Sequence, residues 1–279
     1  MSRSHGKTAL VTGAAGGIGR VLVRDLLATG RRVLATDRDE ALLAEAVRQE
    51  GWDAERLLTR VLDVTDPAAW HDAADAVVQA WGRLDEVFNI AGYLRPAWCH
   101  EATDEDVHRH LDINVKGVVL GTRTAARRML EQEPKGGVRG HIVNMASLAS
   151  MAPVPGLGLY VASKYAVRGF SMAAAQELGP RGVAVSTVCP DAVQTPMLDL
   201  QKDYTEASVT FTAPKFLRPE QVSGLIVGKV LRTRPVLVSI PKSRAFLARL
   251  SDLFPSVAGL LARTLHRQGD AVRRRLQDS

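Results

Sequence analysis

The chain has 279 residues, 46% of them hydrophobic, with 36 Lys plus Arg against 30 Asp plus Glu. That size admits one α/β domain plus an extension, and the lack of any apolar run of 18 residues or more excludes a membrane-spanning helix. The net charge of +6 is concentrated: residues 231–279 hold 10 basic and 3 acidic groups, so residues 1–230 carry a net −1 and offer no basic surface for a nucleic acid.

The start, MSRSHGKTALVTG, is briefly basic but runs straight into a strand-like segment without a cleavage-type site, so a cytoplasmic location is expected. In chain order, KTALVTG (7–13) is a short apolar run closing on glycine. RVLVRDLLATG (20–30) then has helical spacing ended by Gly30, and RRVLATD (31–37) is apolar and β-branched again. The alternation continues with a helix at 41–51, a strand at 56–64, a helix at 66–82, a strand at 84–92, one helix over 103–130 and a strand at 140–147. A helix at 156–170, a strand at 182–190, a looser segment at 191–218, a helix from Pro219 and a strand at 235–241 complete the series. This pattern predicts right-handed crossovers and a Rossmann-type doubly wound α/β fold, about seven parallel strands with helices on both faces. Residues 1–241 are expected to form that domain, and 242–279 a basic, amphipathic helical extension.

The first turn, TGAAGGIG (12–19), joins strand to helix with glycines at 13, 16, 17 and 19. Small residues there let the backbone approach a pyrophosphate, and the helix N-terminus supplies donors; the same glycines also serve plain helix–strand packing. Asp37, at the end of the second strand, is placed to accept bonds from ribose hydroxyls and to repel a 2′-phosphate. Arg38 softens that repulsion, so NAD is expected as the preferred cofactor, with NADP possible.

GLGLYVASKYAVRGF (156–170) sets Tyr160 and Lys164 four residues apart, on one face of a helix. The ammonium is expected to draw the phenol's pKa from about 10 toward neutrality, making it a general acid/base. Ser147 ends the preceding strand at the edge of the sheet where ligands bind. Its hydroxyl is positioned to hold a carbonyl oxygen beside Tyr160.

Taken together these motifs resemble the short-chain dehydrogenase/reductase family over roughly residues 6–241. The family's glycine loop is matched by Thr12, Gly13, Gly17 and Gly19, with Ile18 between the last two, and its Asp-Val pair at adenine by Asp63 and Val64. NIAG matches through Asn89, Ala91 and Gly92, while Ile90 departs from the usual polar residue. The resemblance assigns the active-site roles to Asn114, Ser147, Tyr160 and Lys164. It implies hydride transfer between nicotinamide and a carbinol or carbonyl carbon, with Tyr160 moving the proton and Ser147 orienting the oxygen. Lys164 would hold the nicotinamide ribose, and Asn114 would anchor a water that passes the proton to solvent.

After the sixth strand, PDAVQT matches through Pro190, Val193 and Thr195, but Asp191 replaces a glycine. Either the Asp preserves the turn by tolerating positive φ, or its carboxylate sits at the substrate mouth and disfavours anions. Residues 196–218 occupy the place of the family's substrate lid. Met197, Leu198, Tyr204, Phe211 and Phe216, with Tyr93, Met151 and Leu157, make it apolar and point to a steroid-, retinoid- or long-acyl-like alcohol or ketone. A 3-oxoacyl reductase is the alternative within the family; a cofactor-sensing or scaffold protein without turnover is the alternative of another class. His108 and His110 lie two apart, which suits no metal pair, and are expected solvated or half-buried; no metal is expected. Cys99 and Cys189 also lack metal-like spacing and fit a reducing compartment. The partners expected are a small hydrophobic substrate and further copies of the chain, as a homodimer or homotetramer. The tail's apolar face is expected to pack on the body or a neighbouring subunit in preference to a membrane surface.

Overall fold

The computed structural model describes residues 6–277, without the side chains of residues 255, 257, 258 and 260–262. Seven parallel strands, β1 (Thr8–Thr12), β2 (Arg32–Asp37), β3 (Leu57–Val61), β4 (Glu86–Asn89), β5 (Gly140–Met145), β6 (Val183–Pro190) and β7 (Leu237–Ile240), form one sheet. Their order is β3-β2-β1-β4-β5-β6-β7. Every strand but the edges is flanked on both faces, which is why β1 is buried at all five positions.

Alternation along each strand feeds two layers. From β1, Ala9 and Val11 join α1 (Gly17–Ala28) and α8 (Pro219–Leu225) on one face. Leu10 joins Trp70 and Val77 of α3 (Pro67–Trp81) and Met129 of α5 (Gly117–Leu130) on the other. Each large apolar side chain so buried contributes about 1.5–3 kcal/mol. The order reverses between β1 and β4, so their C-terminal ends open a crevice at the place where such sheets bind ligands. The edge strand β3 is exposed at four of its five positions.

The single helix expected over 103–130 is interrupted. Residues Asp104–Arg109 form α4, His110–Lys116 a π-helical turn, and α5 follows. The wider turn re-aims Asn114 into the interior, where it is fully buried. The helix carrying Tyr160 and Lys164 is α6 (Gly158–Leu178), longer than its apolar spacing predicts.

Beyond β7, α10 (Lys242–Leu253) and α11 (Pro255–Gln277) return to the body. Helix α11 packs on the lid segment Thr205–Thr212, so closely that a Cβ at Gly269 would lie 1.9 Å from the Ser208 carbonyl oxygen. Arg273, only 5% exposed, donates to the Lys202 carbonyl at 2.6 Å and pairs with Asp270 at 2.8 Å. The cover is incomplete: Phe246, Leu250 and Leu253 of α10 remain exposed, so part of the apolar face expected to be buried faces outward. No helix among the described residues is long and apolar enough to cross a membrane.

Candidate active site

The glycine loop is a set of contacts that only missing side chains allow. Gly13 takes φ 65°, and a Cβ there would lie 2.9 Å from the Ala91 α-carbon. At Gly19 a Cβ would sit 2.1 Å from the Gly13 carbonyl oxygen, and at Gly17 it would sit 2.6 Å from the Thr195 methyl. Thr12 ties the loop to NIAG, its hydroxyl accepting from the Ile90 and Ala91 amides at 3.1 and 3.2 Å. Helix α1 begins at an N-cap, Gly16, that makes no side-chain hydrogen bond, and its first turn holds no acidic residue. Its first amides are therefore free to meet a diphosphate, and these residues fit a dinucleotide. Asp37 accepts from the Ala15 amide at 3.1 Å and the Asp39 amide at 3.3 Å, which orients its carboxylate beside the loop. Arg38 is exposed, and it shares a shallow depression with Ala41 and Asp63. Asp63 closes a local turn through the Thr65 amide, while Val64 is buried under Gly117.

At the sheet's C-terminal edge, Ser147, Tyr160 and Lys164 converge. The Ser147 hydroxyl neighbours the Tyr160 phenol, donates to the Pro190 carbonyl at 3.5 Å and accepts from the Ala149 amide at 3.1 Å. The Lys164 ammonium donates to the Met145 carbonyl at 3.0 Å and lies 5.5 Å from the Tyr160 ring centre. Burial pushes the Tyr160 phenol up to about 12, with the Ser147 hydroxyl pulling the other way. Burial pushes Lys164 down to about 8. The expected lowering of the Tyr160 pKa by Lys164 is thus not what the chain's own groups produce: desolvation of the phenol outweighs a cation held 5.5 Å away and engaged with a carbonyl. Asn114 donates to the Tyr93 carbonyl at 2.8 Å and the Ser163 hydroxyl at 2.9 Å, and accepts from the Tyr93 amide at 2.7 Å. Both its amide hydrogens are engaged, so the side chain clamps the NIAG segment to α6 and has no hydrogen left to give a water.

A family model described as short chain dehydrogenase matches residues 7–205. The chain belongs to the short-chain dehydrogenase family. It is 38% identical over 227 residues to a "3-alpha-(or 20-beta)-hydroxysteroid dehydrogenase" of Mycobacterium bovis, covering 81% of this chain and 82% of that one. It is 34% identical over 232 residues to a "2,5-dichloro-2,5-cyclohexadiene-1,4-diol dehydrogenase" of Sphingobium indicum, covering 82% and 85%. Among solved structures, it resembles a short chain dehydrogenase/reductase from Burkholderia phymatum in complex with NAD, with TM-score 0.81 and 25% identity over 92% of this chain and 97% of that one. This protein is therefore an oxidoreductase on a Rossmann-type sheet.

The dehydrogenase's main cleft, about 940 Å³, runs from Ile18 past Gly92, Ser147 and Tyr160 to Pro190, Val193 and Thr195, and it is mostly apolar. Leu157, Asp191, Met197 and Leu198 line it; Tyr93, Met151 and Tyr204 do not. Met151 is fully buried in a core with Leu148 and Val167 because a short helical turn, Leu148–Ser150, folds it inward. The Tyr93 ring packs edge-on to His110 at 4.8 Å beneath the Arg109 guanidinium, and Tyr204 packs in the lid core with Phe211 and Phe216. His110 is wholly buried rather than half-exposed: its Nε2 accepts from the Arg95 amide, its Nδ1 meets the Asp106 carbonyl, and burial lowers its pKa. His108 is exposed.

Asp191 lines the cleft, as the second reading expects, but neither the positive φ of the first reading nor the free carboxylate of the second is present. Its φ is not positive, and its carboxylate is neutralised by Arg244 at 2.6 Å. Sequence reasoning also missed Asn144, which accepts from the Asn89 amide at 2.7 Å and donates to Ser171 at 2.9 Å. That network keeps the central sheet polar beside NIAG although Ile90 has lost its polar side chain; the signal was an Asn at the same level of the adjacent strand, Asn89↔Asn144 in register. Arg244 carried no signal, being one arginine in a basic tail.

Proposed function

We propose that this protein oxidises a sizeable apolar secondary alcohol, or reduces the corresponding ketone, using NAD(H) in preference to NADP(H). The observation that carries the reading is the continuity of one mostly apolar cleft with the Ser147–Tyr160 pair. Its walls include Leu94, Val154, Leu157 and Leu198, which offer a rigid apolar alcohol area to bury, while its charged groups are already engaged, Asp191 with Arg244 and Lys164 with the Met145 carbonyl. The likeness to a hydroxysteroid dehydrogenase supports the same substrate size.

Bound nicotinamide supplies the hydride acceptor or donor. The glycine loop and the α1 N-terminus would hold the diphosphate, Asp37 the adenosine ribose, Lys164 the second ribose, and Thr195 with the Val193 backbone the carboxamide. For oxidation, Ser147 orients the substrate oxygen and Tyr160 as phenolate removes its proton; for reduction, the phenol returns it. Asn114 keeps Tyr93 and Ser163 in place, so that the NIAG turn and α6 stay in register.

An absorbance assay at the reduced-nicotinamide band, across hydroxysteroids, long-chain secondary alcohols and short diols, tests the proposal. Bulky apolar alcohols are expected to show the highest kcat/KM, and Tyr160→Phe to abolish the signal. Turnover confined to short diols would overturn the substrate class.

A further inference from the structure

Asp191 and Arg244 meet at 2.6 Å, the carboxylate 11% and the guanidinium 31% exposed. One partner directly follows β6 beside the catalytic cluster, and the other lies in the first turn of α10. The Asp191 amide also donates to the Ile240 carbonyl at 2.9 Å, so the carboxylate stands on fixed backbone. At the far end of α10, Asp252 accepts a hydrogen bond from the Tyr165 hydroxyl at 2.7 Å, in an exposed position.

Between these two ties, little apolar burial holds the helix. Ala245 is its one buried hydrophobic residue, and with Ala248 it touches the core around Leu148 and Val167. Alanines bury too little area to fix a helix against a sheet edge. Yet the same helix lends Leu247, Leu250 and Ser251 to the wall of the cleft, and Phe254 joins them from the residue just past its end. Leu247 and Phe254 are 61% and 59% exposed, so their apolar faces are available to whatever enters.

We propose that the Asp191–Arg244 ion pair is a latch that seats α10 over the substrate cleft and thereby makes Leu247 and Phe254 the selective wall for bulky apolar substrates. The inference rests on the alcohol-oxidation reading for its substrate arm only. Arg244 itself lines the cleft, and its action as a positioning residue is what exchange across 242–253 reads apart from direct contact. Losing its partner leaves the nearly buried Asp191 carboxylate uncompensated, and the helix then moves to let water reach it.

The test uses the full chain. Arg244→Met is expected to raise KM for a bulky apolar alcohol about tenfold, while kcat, KM for a short alcohol that does not reach α10, and NAD affinity stay within about twofold. Hydrogen–deuterium exchange should rise across 242–253. Arg244→Lys, whose ammonium still meets the carboxylate, should restore both readouts. If Arg244→Met does not fold, Arg244→Gln, which keeps a polar side chain there but no charge for the carboxylate, is expected to show the same rise in exchange. Equal KM increases for bulky and short alcohols, or unchanged exchange in 242–253, would overturn the latch. If the wild type oxidises no alcohol in the panel, the functional reading falls while the exchange arm still decides the latch.

Discussion

From Thr8 to Asn144, the groups that face the dinucleotide are set by near neighbours in the chain or by the register of parallel strands. From Asp191 to Gln277, the cleft is assembled by pairs far apart in sequence. In the first region, Gly13 turns at φ 65° and Gly19 lies under its carbonyl six residues away. In the second, Asp191 meets Arg244, Lys202 meets Arg273 and Ser208 meets Gly269. On the proposed function the difference separates two tasks: the first region would present mainly backbone to an invariant cofactor, and the second, apart from Val193 and Thr195 where it reaches back to that cofactor, side chains to a variable substrate. Changes in the first should therefore weaken every reaction alike, changes in the second should alter some substrates only, and changes in α6, which joins them, should stop the chemistry itself.

The largest effect belongs to that seam. Tyr160→Phe should lower kcat by about 10²–10⁴ for every substrate while leaving cofactor affinity nearly unchanged, because the phenol serves the reacting oxygen. Residual activity within about tenfold of wild type would remove Tyr160 from the proton step. The pH profile carries a sign. Burial holds the phenol up at about 12, and oxidation needs the phenolate, so oxidative kcat/KM should rise with pH across the neutral and alkaline range. Reduction needs the phenol and should not share that rise. Parallel profiles in the two directions would show that another group limits both.

Next in size is the cofactor loop. Gly19→Ala places a methyl 2.1 Å from the Gly13 carbonyl oxygen, backbone that cannot step aside without unmaking the turn. NAD affinity should fall on the order of a hundredfold, equally for all substrates. Gly228→Ala is the control: nothing lies within 4 Å of its added methyl, and affinity should not change. If Gly19→Ala discriminated between bulky and short alcohols, the division between the two regions would fail.

That division also explains what the sequence could say. The sheet, its switch point and the catalytic cluster were legible because Gly-rich turns, period-two apolar runs and the four-residue spacing of Tyr160 and Lys164 are local signals. The phenol's pKa was not, since the balance between a nearby ammonium and desolvation depends on depth, which spacing does not reveal. Met151 and Tyr204 read as pocket residues because a large side chain near a cleft has the same letter whether it faces the substrate or the core. The break at His110–Lys116 was hidden because its residues suit a helix; the insertion shows only in how Asn114 is aimed. Asp191 was visible as a departure, but its partner lies 53 positions away in a tail matched by no motif.

The third effect is on the substrate region alone. Deleting residues 242–279 removes the α10 wall and the α11 cover over the lid, so kcat/KM for bulky apolar alcohols should fall by at least about tenfold. Thermal stability should drop as well, since Phe211 and Ala207, now at most 1% exposed, lie in the segment that α11 covers. Short alcohols and NAD should be handled nearly as before. Calorimetry and paired kinetics check it; a truncated protein that loses short and bulky substrates equally would make the tail a general support of the fold.

The smallest expected effect is the cofactor preference, where the two regions touch least. On the proposed function the Asp37 carboxylate has two jobs: it accepts the Ala15 and Asp39 amides, and its remaining lone pairs would meet a ribose. Asp37→Ala removes the repulsion toward a 2′-phosphate but also frees the Ala15 amide, loosening the loop that both cofactors need. The ratio of NADP to NAD dissociation constants should thus narrow by about fivefold, mostly through weaker NAD binding, because a half-buried carboxylate still screened by water discriminates modestly. Adding Arg38→Ala separates the contributions: if the exposed guanidinium at 38 is what receives the phosphate, the double variant should lose NADP again while its NAD affinity stays at the single variant's level. A ratio unmoved by Asp37→Ala would place selectivity outside the β2 turn, and with it part of the cofactor site outside the region where local sequence sets the geometry.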